Sequence, residues 1–124
     1  MNNESQDLSK QKIAIKLFFY IMKEWNVDEP AQYILLGNPS MDSFHYWQEP
    51  HDFIELPQDT LLRISYCVNI YKILHTIFTN KVQANAWVSK INITFQKKTA
   101  LDRMISGDIN SLKEINQYLS SQLT

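Results

Sequence analysis

The sequence is poor in the residues that punctuate a chain. Its 124 residues include two glycines, four prolines and one cysteine. So few glycines leave little room for the repeated tight turns of an all-β fold. They also work against a glycine-rich phosphate cradle, and neither GxGxxG nor GxxxxGK occurs. A lone Cys67 excludes an internal disulfide and argues against a thiolate metal site. Long hydrophobic runs are missing too, because Lys, Asn or Thr interrupts every apolar stretch within a few residues, so no transmembrane helix and no membrane partner are expected. Met1 to Lys12 is polar and has no apolar signal core, which reads as a cytoplasmic chain.

Positive charge is absent where a nucleic-acid-binding protein would need it. No Lys or Arg stands between Glu24 and Leu62. From Met1 to Gln58 there are four lysines against nine acids, a net −5. From Asp59 to Thr124 eight Lys or Arg face four acids, a net +4.

What the chain does have is apolar material, 44% hydrophobic and 12% aromatic. That suffices for one compact all-α domain or two small helical subdomains sharing a core, and the natural division is 8–58 and 59–124. The apolar periodicity predicts a first helix from about Leu8 to Trp25, with Ile13, Leu17, Tyr20, Ile21 and Trp25 on its buried stripe. Lys12, Lys16 and Lys23 mark its wet side, with Phe19 among them. Asn26, Glu29 and Pro30 read as the cap, capping-box acid and first-turn proline of a second helix, which Gly37 stops in the left-handed conformation. Ser40 caps a third helix, Met41 to Gln48. Helix, short glycine turn and helix make a helix-turn-helix outline.

Glu49 to Gln58, with Pro50 and Pro57, is a loop. The fourth helix, about Asp59 to Asn80, carries one apolar row of Leu61, Ile64, Val68, Tyr71, Leu74 and Phe78. Leu62, Tyr66, Ile70, Ile73 and Ile77 make a second, and Ser65, Asn69, Lys72, Thr76 and Thr79 form its only polar stripe. Such a helix must be covered on two sides, either within one chain as its central strut or partly by a second copy in a homodimer. A short helix from about Val82 to Lys90 follows, then a turn or extended link, Ile91 to Phe95, whose β-branched residues disfavour helix. Thr99 and Asp102 cap a short helix reaching Ser106 and stopped by Gly107. The last helix, about Ile109 to Leu123, carries Leu112, Ile115, Leu119 and Leu123 on one face.

No catalytic constellation is legible, and neither a cofactor nor a metal is expected. His45, His51 and His75 match no zinc spacing. Cys67, among large apolar residues, reads as a small core hydrophobe. The helix-turn-helix offers Ser40, Ser43 and His45 as possible DNA contacts. Yet Asp28, Glu29, Asp42, Glu49 and Asp52 surround them with no arginine to read guanine and no cation for phosphate. Operator DNA is therefore disfavoured as a partner, and the unit reads as a degenerate helix-turn-helix kept for packing or protein contact.

Three stretches, in order, resemble the Xre/MbcA/ParS family of bacterial antitoxins. Trp25 through Leu36-Gly37, with Phe44-His45-Tyr46-Trp47, is similar to that family's Xre-like helix-turn-helix. Leu61-Leu62-Arg63-Ile64-Ser65-Tyr66, then Ile70-Tyr71-Lys72-Ile73-Leu74, is similar to its long middle helix. Trp87, Asn92, Phe95, Leu101-Asp102, Met104, Gly107 and the helix from Leu112 to Leu119 resemble its toxin-binding segment. The family pattern is broken at Ala100, where proline is common, and at Gln96-Lys97, which replaces a glycine-containing turn. The resemblance implies a non-enzymatic antitoxin of a type II toxin-antitoxin system. Its partner would be a RES-type toxin that destroys NAD, neutralised by occlusion of the active site. In this chain the toxin contacts would fall on Asn92, Phe95, Lys98, Leu101, Asp102, Arg103, Tyr118 and Gln122. The alternative it carries is an Xre-type DNA-binding regulator that represses its own operon. Removing everything after about Ile91 should then abolish neutralisation and leave the N-terminal helices folded. Lys90, Lys97, Lys98, Arg103 and Lys113 around this segment read either as a rim steering an acidic partner or as a solvated surface. Trp87 and Phe95 are candidates for interface anchors or for packing.

Overall fold

The computed structural model describes residues 3–96, 98–106 and 108–123. Lys97 and the expected stop at Gly107 lie outside them. Seven α-helices form among the described residues: α1 (Asn3–Glu24), α2 (Glu29–Leu35), α3 (Met41–Gln48), α4 (Gln58–Ile77), α5 (Lys81–Ala86), α6 (Ala100–Ile105) and α7 (Ile109–Ser121). Between α5 and α6 run a 3₁₀ turn (Trp87–Ser89), β1 (Ile91–Asn92), a second 3₁₀ turn (Ile93–Phe95) and β2 (Lys98–Thr99). The fold is all-α with one two-stranded ribbon inserted.

Local chemistry sets the helix ends. The chain leaves α1 through Asn26, whose φ is 57°. Its N–H donates to the Lys23 carbonyl at 3.1 Å, and the next N–H, of Val27, reaches back to Met22 at 2.9 Å. This is a Schellman closure, and asparagine tolerates the left-handed conformation it needs. Asn26 therefore ends α1 and does not cap α2, as its residue type alone suggested. The cap is Asp28, whose Oδ1 accepts from Ala31 N–H at 3.1 Å, with Pro30 in the first turn. The same closure recurs after α2, with Gly37 at φ +93° and Asn38 N–H on the Tyr33 carbonyl at 2.9 Å. Ser40 accepts from Ser43 N–H at 3.1 Å and starts α3 as its sequence indicates.

The face that α1 buries is only partly the expected one, since Ile21 and Trp25 are buried and Leu17 packs against the core while Ile13 and Tyr20 are not inside. Ile15, Phe18, Ile21, Met22 and Trp25 are inside, whereas Ile13 is 62% and Tyr20 47% exposed. Phe19, expected among the wet lysines, is half-buried and meets Phe44 edge-on at 5.9 Å. Phe44 in turn packs on Tyr33 at 4.9 Å, joining α3 to α2. On α4, Ile64, Cys67, Ile70, Ile73 and Leu74 are buried, and the stripe Ser65, Asn69, Lys72 and Thr76 is exposed as the spacing requires. Leu62 and Ile77, of the second expected row, emerge at 47% and 37%. The helix ends at Ile77, short of Asn80, because Asn80 caps α5 by accepting from Gln83 N–H at 3.0 Å.

α4 packs against α1, α5 and α7, and α6 bridges α7 and α2. Thr60, the one buried polar residue among the described residues, donates its hydroxyl proton to the Leu36 carbonyl at 3.0 Å and fixes α4 to the end of α2. Leu56 N–H donates to Gln11 Oε1 at 2.6 Å and holds the loop before α4 on α1. At the other end of α1, Glu24 accepts from the Tyr20 hydroxyl at 2.8 Å and pairs with Lys81 at 3.0 Å. The indole N–H of Trp25 is buried without a protein partner, a cost of roughly 1–3 kcal/mol that its large apolar burial outweighs.

A single cluster of buried side chains extends from Ile15 to Leu119. The regions 8–58 and 59–124 thus share their interior, and α7 supplies Leu112, Ile115 and Leu119 to it. Leu123, expected on that face, lies past the helix end and is 50% exposed. A chain cut after Ile91 would uncover the α7 side of α4, so the expectation that the N-terminal helices survive such a cut is corrected.

Two stability predictions follow from this packing. Leu112→Ala should cost about 2–5 kcal/mol, read by urea denaturation, and the chain ending at Ile91 should lose its cooperative transition. Gly37→Ala should cost at least about 1 kcal/mol, since an L side chain at that φ is strained. The added methyl would also meet Asp59 Oδ2 at 2.9 Å and Arg63 Nε at 3.0 Å, an ion pair that would have to shift.

Candidate functional site

The expected contact segment folds as a short ribbon. Ile91 pairs with Thr99 and Asn92 with Lys98 in antiparallel register. Asn92 accepts from Thr94 N–H at 2.9 Å, which starts the 3₁₀ turn at the ribbon tip. Gln96 follows at φ 59°, the left-handed conformation that glycine takes without strain, so a glycine-containing turn at this point has a physical reason.

Beneath the ribbon lies a cluster of three aromatic rings. Phe95 is only 4% exposed and meets Trp87 edge-on at 6.1 Å and Tyr118 at 5.4 Å. Trp87 and Tyr118 stack at 6.3 Å with 19° between their planes. Each such pair contributes roughly 0.5–1.5 kcal/mol beyond its buried area. Phe95 therefore pins the ribbon to α7 and presents no surface to a partner, a correction to its reading as a contact residue. Trp87 and Tyr118 are half-buried in the same packing.

The remaining expected residues divide by task. Asp102 is exposed but occupied: its Oδ2 accepts from Thr99 N–H at 3.1 Å, while Thr99 Oγ1 accepts from Asp102 N–H at 2.9 Å. The reciprocal box starts α6, and the Thr99 backbone N–H holds the Asp102 carboxyl below its ordinary range. Arg103 donates to both oxygens of Glu114, at 3.1 and 2.9 Å, tying α6 to α7. Leu101 is half-buried against the core. Lys98 and Gln122 are exposed. Of the residues expected on DNA, Ser40 is spent on the α3 cap, Ser43 lies part-buried beside it, and His45 is exposed with its Nδ1 3.3 Å from Gln48 Oε1.

Two widely exposed apolar side chains of the segment were not among the expected contacts. Ile91 is 75% and Ile93 85% exposed, in and next to β1. Lys90, just before β1, and Lys98, on β2, stand exposed, and Lys113 is exposed on α7. β-branched residues in a turn suggested only an extended link, and nothing in their spacing says which side of a two-residue ribbon faces water. Among the described residues no group of three or more His, Cys, Asp or Glu could hold a metal ion. Burial pushes the Cys67 thiol up to about 12, so this sulfur stays protonated inside α4.

The capping box generates a pH prediction. A carboxyl whose folded pKa is depressed contributes stability above its unfolded value of about 3.9 and loses it as pH falls through the folded value. Thr99→Ala should cost about 1 kcal/mol near neutrality, read by thermal denaturation. The gap between native chain and Asp102→Ala should close as the solution is acidified below about pH 4.

Comparison with known proteins brings out one full-length relative. No family model matches the chain, and no solved structure matches it. It is 31% identical over 121 residues to the "Uncharacterized protein y4oB" of Sinorhizobium fredii (strain NBRC 101917 / NGR234), an alignment spanning 98% of this chain and 92% of that protein. With that identity across nearly all of both proteins, the chain belongs to the family of y4oB.

Proposed function

We propose that the chain is an antitoxin of a type II toxin-antitoxin system, whose ribbon between α5 and α6 docks on a RES-type, NAD-degrading toxin and blocks its active-site entrance. The observation that carries this reading is the exposure of Ile91 and Ile93 on a ribbon anchored from below by Phe95, Trp87 and Tyr118. Two large aliphatic side chains held in water on a rigid base favour binding, because burying each releases about 1.5–3 kcal/mol. Little ordering entropy opposes the gain where the base is already fixed. Lys90 and Lys98 beside them would favour an acidic face on the partner. The sequence resemblance to the Xre/MbcA/ParS antitoxins would put a toxin contact in this same segment, and the reading of the toxin class comes from it alone. Cytoplasmic location goes with it; among the described residues no helix is long and apolar enough to cross a membrane.

The operon-repressor reading draws no comparable support. Asp28, Glu29, Asp42, Glu49 and Asp52 are all exposed around α2 and α3, and duplex phosphate would be repelled there.

Co-expression with a RES-type toxin encoded beside this gene tests the proposal. The native chain should copurify with the toxin and preserve cellular NAD. Ile91→Asp with Ile93→Asp should weaken the complex by at least about a hundredfold, as loss of two hot-spot residues does, with no change in the unfolding transition. NAD depletion that the native chain leaves untouched would end this reading.

A further inference from the structure

We propose that the seam between α1 and α4 is a second docking surface, taking an acidic amphipathic helix from a partner protein. It is independent of the ribbon and involves none of its residues. A cavity of about 670 Å³ lies between the two helices. Ile64 forms its floor at 1% exposure, Ala14, Leu17, Leu61 and Val68 are its half-buried walls, and Ile13 is its 62% exposed lip. On α4 the lining runs from Leu61 to Lys72. At 1.5 Å per residue that is roughly 16 Å, three turns of a docked helix. Apolar side chains at i, i+3, i+4 and i+7 of such a helix would find an apolar trough of matching length.

Charge selects among possible occupants. The lining includes Lys10 and Lys72 and no carboxylate. Among the described residues the ion pairs are Arg63 with Asp59, Lys81 with Glu24 and Arg103 with Glu114, so neither groove lysine is neutralised there. Carboxylates flanking the apolar stripe of an incoming helix would complete the pattern. A second copy seated by its own α1–α4 seam would instead bring four lysines together over the apolar contact, and like charge opposes that arrangement. The other polar lining groups keep their own partners: Gln11 Oε1 accepts from Leu56 N–H at 2.6 Å, Ser65 donates to the Leu62 carbonyl at 2.6 Å, and Asn69 donates to Asn116 Oδ1 at 2.6 Å. Docking there would not strip hydrogen bonds from the chain.

The test uses the full chain and two fluorescent helical peptides with identical leucine stripes, one flanked by Glu and the other by Lys, followed by anisotropy. The Glu peptide should bind at least about tenfold more tightly than the Lys peptide, and more tightly still at low salt. Lys10→Glu with Lys72→Glu should reverse the preference. Ile13→Asp should weaken the Glu peptide by about tenfold without altering the unfolding transition, since Ile13 is already in water. Equal binding of the two peptides, binding of neither, or a preference that survives the double charge reversal would overturn the proposal. So would self-association in sedimentation that Ile13→Asp abolishes, because the seam would then belong to a second copy.

Discussion

α4 imposes the constraint from which the other elements take their places. Twenty residues long and carrying buried Thr60, Ile64, Cys67, Ile70, Ile73 and Leu74, it keeps only a narrow polar stripe in water, less than an ordinary amphipathic helix does. Something has to cover it on two sides, and among the described residues the main covers are α1 and α7, with α5 packed against it as well. The N-terminal and C-terminal parts are thereby locked to a common strut. A chain of this size has little core to spare, so removing either cover exposes more apolar surface than the remainder can tolerate. The ribbon is tied into this arrangement, because α7 presents Tyr118 to the aromatic cluster around Phe95.

Elements written in local chemistry are the ones a reader of the sequence can place. Ser40 with the following apolar run delimits α3, Thr99 and Asp102 delimit the start of α6, and Gly37 at positive φ marks the end of α2. The polar stripe of α4 was equally plain, because its spacing leaves no second solution. The buried face of α1 was not. Ile13, Leu17 and Tyr20 and the alternative set Ile15, Phe18 and Met22 both fit helical spacing. Contacts with α4 and α3 decide between them, and those contacts are not local. Asn26 was a similar case: it caps helices and also tolerates positive φ, and the end of α1 claimed it, leaving the α2 cap to Asp28.

The residues expected at the candidate site carry other tasks than their types suggest. Aromatic side chains attract attention as binding anchors, yet Phe95 has more apolar area to hide than Ile91 or Ile93, and the chain hides it. The aliphatic residues remain outside because a two-residue ribbon has no second layer to cover them. Asp102 and Arg103, plausible as polar contacts, are occupied in a cap and in a bidentate pair with Glu114. What this leaves at the surface is a small apolar tip with lysines beside it. Its charge is opposite to that of the α2–α3 face, where carboxylates stand without a single Lys or Arg from Glu24 to Leu62.

The same strut that organises the core explains why a seam is left open. α1 and α7 flank α4, and the Asn69–Asn116 hydrogen bond marks the α7 side of the strip between them. Along that strip α4 shows its wet stripe, Ser65, Asn69 and Lys72, next to Leu61 and Val68, which no element of the chain fully covers. Had the strip been wholly polar, two covers would have satisfied α4 and nothing further would be expected of it. Had it been wholly apolar, a third cover from within the chain would be needed for stability. Its mixed character lets the isolated chain remain folded with the groove in water, while keeping apolar area whose burial would still be favourable. A helix that fills the groove adds to the stability of the folded state by mass action without having been needed to form it.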